Sequence, residues 1–200
     1  MTALIVIVVI AILVIGWVIM TYNRLVALRT QVANGWSQID VQLKRRYDLI
    51  PNLVESVKGY MGHEQDTLRQ VIEARNKAVS VNPGSAPATG ATAAAIAAES
   101  ALTASIGKMF ALAESYPDLK ANQSVQQLME ELSSTENKIG FARQYYNDTA
   151  TSLNTAVQSF PGNIIAGKFG FQNAELWRVS EAERAAVETA PKVRDRKSVV

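Results

Sequence analysis

From Ala3 to Met20 the chain runs eighteen residues without a charge, and thirteen of them are Ile, Leu or Val. As an α-helix rising ~1.5 Å per residue, this stretch is ~27 Å long, close to the ~30 Å hydrocarbon core of a bilayer. At roughly −0.4 kcal/mol each, the branched aliphatics favour insertion by on the order of 5 kcal/mol. Trp17 and Tyr22 stand at the C-terminal end, where interfacial rings lie, and Arg24 and Arg29 follow. A cleaved signal peptide would carry Lys or Arg ahead of the run, and only Met1 and Thr2 stand there. The apolar residues also continue through Val14-Ile15-Gly16, a poor cleavage site, into Val18-Ile19-Met20. Residues 1–22 therefore read as a retained single-pass anchor. Arg24, Arg29 and Lys44-Arg45-Arg46 follow the span and only the α-amine precedes it, so the positive-inside rule expects an inner-membrane protein with its body in the cytoplasm.

Beyond the anchor, apolar residues recur at Leu25, Leu28, Val32, Trp36, Ile39, Leu43, Tyr47, Ile50, Val54, Val57 and Met61. Those ten steps cover thirty-six residues, the 3.6 period of a helix with one buried stripe. Leu68, Val71, Ile72, Arg75 and Val79 carry the stripe on. Turn-formers and small residues at 82–92 predict a mobile linker. An alanine-rich helix follows over about 93–115, with Ile96, Leu102, Ile106, Met109 and Phe110 toward the core, and Tyr116-Pro117-Asp118 ends it. In the last long helix, about 122–159, Val125, Leu128, Leu132, Thr135, Ile139, Ala142, Tyr146, Thr149, Leu153, Ala156 and Phe160 alternate spacings of three and four, a coiled-coil-like seam. No strand pattern of comparable length appears. The expectation is an all-α fold: a transmembrane helix, then an up-and-down four-helix bundle of long antiparallel helices over 23–172, then a tail over 173–200.

Two readings compete for the first hairpin. Pro51 as a first-turn proline gives helices 22–50 and 51–81 of matched length, whereas the unbroken phase would put the turn at Gly59–Gly62. The matched lengths favour Pro51, and the turn is expected there.

Chemistry is sparse. No cysteine means no disulfide, thiolate metal site or thiol nucleophile. His63 is the only histidine, too few for a bundle di-iron centre, and Gly62-His63-Glu64-Gln65 is not a zinc-protease motif. No nucleophile elbow or Ser-x-x-Lys pair occurs, and Gly167-Lys168-Phe169-Gly170 lacks the length of a phosphate loop. Net charge +2 does not suit nucleic-acid binding by bulk electrostatics. Neither catalysis nor a cofactor is expected.

The remaining candidates are surfaces. Lys44 and Arg45 form a docking patch or a solvated face with local ion pairs. Positions 39, 43, 46, 50 and 53 share a face, so Arg46 should be partly buried and need a carboxylate, with Glu136 or Asp40 as partner. Phe160, Ile164, Ile165, Phe169 and Phe171 form an apolar cluster in a Gly-containing loop. It would insert at the membrane surface, contact a subunit or plug the open end of the bundle. Asn137 and Asn147 fall outside the seam and read as flanking residues. In the tail, Ser180-x-x-Glu183 matches a capping box for a short helix near 181–189. Lys192, Arg194, Arg196 and Lys197 against Asp195 leave +3 in six residues, a lipid-hugging end or a solvated terminus.

The segment Lys44-Arg45-Arg46-Tyr47-Asp48-Leu49-Ile50-Pro51-Asn52-Leu53-Val54 resembles the LemA family of bacterial membrane proteins. The likeness extends to Tyr22–Arg29, Trp36–Asp40, Glu73-Ala74-Arg75, Tyr116–Lys120, Thr135–Ile139, Tyr145-Tyr146-Asn147 and Phe160–Asn163, in order over about residues 1–172. The resemblance implies an anchor followed by a four-helix bundle and supplies no enzymatic reaction. A related branch that serves magnetosome membrane formation suggests membrane organisation. The resulting expectation is a non-catalytic scaffold or interaction module at the bilayer, forming homo-oligomers. The alternatives are an accessory subunit of another membrane protein, such as a transporter or protease, and a small-ligand binder using the core.

Overall fold

A computed structural model describes residues 1–82, 84 and 93–177, except the side chain of Lys120. The expected linker therefore lies almost wholly outside the described residues, as do the helix near 181–189 and the basic end Lys192, Arg194, Arg196 and Lys197. Six helices and no strand make up the described part. They are α1 (Thr2–Lys58), α2 (Gln65–Val81), α3 (Ala93–Ala113), α4 (Pro117–Ala121), α5 (Gln123–Gln158) and α6 (Gly162–Phe169). The apolar run and the first helix of the body are one element. At 57 residues, α1 is ~86 Å long, and its first twenty residues leave nearly every apolar side chain uncovered.

The hairpin expected at Pro51 is not there: α1 passes through this proline and the chain turns at residues 59–64. Ile50 and Leu53 are fully buried and Val57 almost so, and they stay on one face only if the helical phase is kept. Proline removes the amide that would bond the carbonyl four residues back, and so orphans Tyr47 O. Arg75 on α2 repairs the gap: its Nε donates to Tyr47 O at 3.1 Å. A side chain from the neighbouring helix thus replaces the lost backbone donor. Lys58 in the last turn favours the negative end of the helix dipole, and Met61, fully buried, closes the hairpin.

α5 runs antiparallel to α1 along most of the body. Gly35 allows the close approach, because a Cβ there would stand 3.1 Å from Tyr146 Cα. Trp36 meets Tyr146 edge-on beside it, with ring centroids 5.9 Å apart. α2 folds back on α1, as Asn82 to Asp40 (3.2 Å) and Arg75 to Tyr47 show, and α3 packs on α2. One core draws Trp36, Ile39 and Leu43 from α1, Leu68 and Val71 from α2, Leu102 and Ile106 from α3, and Leu132 and Ile139 from α5. Besides α1, α3 is long and apolar enough to span a bilayer, but it packs into this core and buries a carboxylate, Glu99. Tyr116-Pro117-Asp118 ends α3 as expected and also starts α4, with Pro117 in the first turn. Asn122 caps α5 by accepting from the amides of Ser124 and Val125.

The Gly-containing loop expected after α5 is a helix for eight residues, α6, stopped by Gly170 at φ 72°. Only glycine takes this left-handed backbone without penalty.

Replacing Arg75 with Met should cost about 1–3 kcal/mol by orphaning the Tyr47 carbonyl. In a Pro51→Ala background the Ala amide takes that carbonyl, and the cost should fall by at least half. A double-mutant cycle by urea unfolding in mild detergent checks this: additive effects would show that Arg75 does not serve the proline gap.

Candidate functional site

Arg45 and Arg46 are neighbours in sequence and opposites in setting, because one residue turns an α-helix by 100°. Arg46 lies on the apolar stripe and is 1% exposed. Its Nη1 donates to Glu136 Oε1 on α5 at 2.8 Å and to Thr103 Oγ1 on α3 at 3.0 Å. Its Nη2 pairs with Glu99 Oε2 on α3. The Tyr47 hydroxyl donates to the other oxygen of Glu99, and burial raises the Tyr47 pKa above its ordinary value, partly opposed by the Arg46 charge. One guanidinium therefore joins α1, α3 and α5, while the next residue joins α1 to α2 through its carbonyl.

Arg45, by contrast, faces outward and pairs with Glu131 across the α1–α5 groove, both half exposed. Lys44 reaches Asp40 at 3.9 Å and is largely exposed. Both are exposed ion pairs, the weak kind, one within α1 and the other between α1 and α5.

At the opposite end of α5 the aromatic cluster divides. Ile165 and Phe171 turn inward and form a small second core with Leu25 and Ala166, against which Val18 of the apolar run also packs. Tyr22 lies edge-on to Phe169 at 4.9 Å and to Phe171 at 5.7 Å, and Arg29 stacks over Phe171 at 5.2 Å. Phe160, Ile164 and Phe169 stay exposed, at 81%, 58% and 51%. α6 is thereby clamped beside α1 where the apolar run ends. Gly162 permits the bend into α6, since a Cβ there would come within 2.7 Å of the Ala156 carbonyl.

The chain after α6 carries residues that pattern reasoning passed over. Asn147 donates to Trp177 O at 3.0 Å and accepts from Trp177 N at 2.8 Å. Asn154 does the same to Ala174, at 2.9 and 2.7 Å. These two amides, seven residues apart on one face of α5, hold the returning segment as a strand partner would. The Tyr146 hydroxyl adds a bond to Glu175 O at 2.7 Å. Trp177 is 2% exposed, against Trp36 and under Arg143. The heptad spacing of Asn147 and Asn154 was the available signal; what they grip lies twenty to thirty residues away. Among the described residues no group of three or more His, Asp or Glu could hold a metal, and His63 is exposed in the α1–α2 turn.

Arg46→Ala should destabilise the chain by about 3–5 kcal/mol, because it leaves Glu99 buried without its cation. Arg45→Ala should cost less than ~1 kcal/mol. Equal thermal midpoints for the two variants would refute this division. Tyr47→Phe should cost about 1–3 kcal/mol at neutral pH. A folded pKa raised above the unfolded value near 10 stabilises fully below about pH 10 and loses that contribution as pH rises further. The gap between parent and Tyr47→Phe should therefore narrow above about pH 10 in paired unfolding curves.

Comparison with known proteins places the chain in a family. The LemA family model matches residues 35–194. Protein LemA of Metamycoplasma hominis is 28% identical over 168 residues, covering 84% of this chain and 74% of that protein. Magnetosome protein MamQ 2 of Paramagnetospirillum magneticum is 24% identical over 186 residues, covering 84% and 68%. Magnetosome protein MamQ of Magnetospirillum gryphiswaldense is 22% identical over 182 residues, covering 82% and 67%. With four-fifths of its length matched by the family model, the chain belongs to the LemA family.

Proposed function

We propose that this chain is a non-catalytic, single-pass protein of the inner membrane whose cytoplasmic helical body assembles with copies of itself as a scaffold. The observation that carries the reading is the continuity of α1. The eighteen-residue window of highest hydropathy in this helix is 0% buried, and the same helix enters the packed body without a joint. A bilayer supplies the cover that the apolar run lacks. Arg24, Arg29 and Lys44-Arg45-Arg46 after the span favour a cytoplasmic body, and the likeness to magnetosome proteins supports a role at membranes.

The surface suited to self-association lies on the α1–α5 face, where Val41, Phe141 and Tyr145 are 62%, 74% and 41% exposed. They border a shallow groove with Gln38, Gln42 and Lys138, and the buried Gln42 Oε1 has no partner among the described residues. Two copies anchored in one bilayer and related by a two-fold axis along its normal bring this patch to the same height. Each patch then faces itself, as an isologous interface requires.

The absence of cysteine makes the test direct. Phe141→Cys in membranes should form a disulfide-linked dimer, and Arg69→Cys on the exposed face of α2 should not. Phe141→Glu should lower the mass of the detergent-solubilised assembly. Monomer throughout, or a stoichiometric second protein in place of a second copy, would overturn self-assembly; the second result would favour the accessory-subunit alternative.

A further inference from the structure

Near the end of the apolar run, α1 and α5 diverge around a groove of about 630 Å³. Trp17, Thr21, Arg24, Leu25 and Leu28 line it from one face of α1. Thr151, Ser152, Thr155 and Ala156 line it from one face of α5, Ser159 follows at the end of that helix, and Phe160-Pro161-Gly162 closes it. We propose that this groove holds the phosphate headgroup of an anionic phospholipid, with Arg24 as the cation and the hydroxyl row of α5 as hydrogen-bond donors. The proposal rests on the membrane anchor argued above.

Four observations point to that ligand. Arg24 has no carboxylate partner among the described residues. The end of the body around it is free of acid: residues 1–39 and 149–174 contain no Asp or Glu, and their only charged side chains are Arg24, Arg29 and Lys168. Ser152 returns its hydroxyl to the Asp148 carbonyl at 2.9 Å. The hydroxyls of Thr21, Thr151, Thr155 and Ser159 make no side-chain hydrogen bond among the described residues. Finally, Arg24 stands four residues beyond Met20, ~6 Å along the helix, which is headgroup depth for a span ending there.

The chemistry divides by wall. A guanidinium presents paired N–H donors to phosphate oxygens, which a lysine cannot match in geometry. Hydroxyls donate to the remaining oxygens. Trp17, on the bilayer side of Arg24, and the exposed Phe160 ring supply apolar surface for the glycerol end and the first methylenes of the acyl chains. The N-terminal end of α6 at Gly162 adds partial positive charge on the same side. A free phosphate would use the cation and the hydroxyls and leave the apolar wall unused.

The test places the full chain in nanodiscs of mixed phosphatidylglycerol and phosphatidylcholine and measures the lipids retained after detergent extraction. The parent should retain phosphatidylglycerol selectively. Arg24→Gln should cut that enrichment about fivefold, Arg24→Lys should fall between, and Thr151→Val with Thr155→Val should lower it as well. Arg69→Gln, on the exposed face of α2, should leave it unchanged. Undiminished enrichment in Arg24→Gln, or none in a fully incorporated parent, overturns the proposal. So does displacement of the lipid by excess glycerol 3-phosphate, which would mark a soluble phosphate ligand. A parent that does not enter the bilayer overturns the anchor itself and the groove with it. Helical circular dichroism matching the parent guards against reading misfolding as lost binding.

Discussion

The body is organised around a positive charge with no access to water. Arg46 binds carboxylates from two helices and a hydroxyl from one of them, and it sits on the stripe that a long amphipathic helix must bury. A charge in that position is costly unless every neighbour is in place. The interaction therefore acts on the relative placement of α1, α3 and α5 more than on total stability. Apolar side chains tolerate sliding past one another by a residue, whereas a guanidinium held by Glu99 and Glu136 does not. Tyr47, one residue on, applies the same rule to α1 and α2: its hydroxyl goes to Glu99 and its carbonyl to Arg75. Two consecutive residues thus set the register of all four long helices.

Much of this was legible in the chain. The stripe from Leu25 to Met61 is buried or half-buried at every position, and the seam of α5 holds from Val125 to Ala156. The burial of Arg46 followed from phase, since a position midway between Leu43 and Ile50 cannot face water; of the two carboxylates the sequence offered it, Glu136 is the partner, while Asp40 pairs with Lys44. What escaped were contacts between distant segments. Glu99 looked like one polar residue in an alanine-rich helix, and nothing local shows that it waits for Arg46. Asn147 looked like a flanking amide because its partner is a backbone thirty residues further on. Pro51 misled for a related reason: the local rule against proline inside a helix holds only when no outside donor fills the gap, and Arg75 does so.

The end of the body nearest the apolar run follows a different logic. Its contacts are aromatic edges and a cation over a ring, around Tyr22, Phe169, Phe171 and Arg29. Among the described residues no carboxylate takes part. Rings with a polar rim, stacked arginine and exposed phenylalanines suit a layer that is wet on one side and oily on the other. The opposite end, with Glu64 and the Asn122–Tyr60 bond, is built from ordinary polar contacts. The two ends of one small body thus differ in chemistry.

With the apolar run embedded in a bilayer as proposed, the unbroken passage of α1 from that run to the core has a mechanical meaning. Thirty-eight residues separate Met20 from Lys58, a rigid arm of ~57 Å. Transmembrane helices respond to bilayer thickness by tilting. A change of ~10° in the tilt of the span would swing the far end of the arm by about 10 Å, roughly the width of a helix. A flexible link after Met20 would have absorbed such a movement within a few residues. Here α5, held to α1 along its length, moves with it, so a small adjustment inside the lipid becomes a large displacement of whatever the distal end of the protein touches.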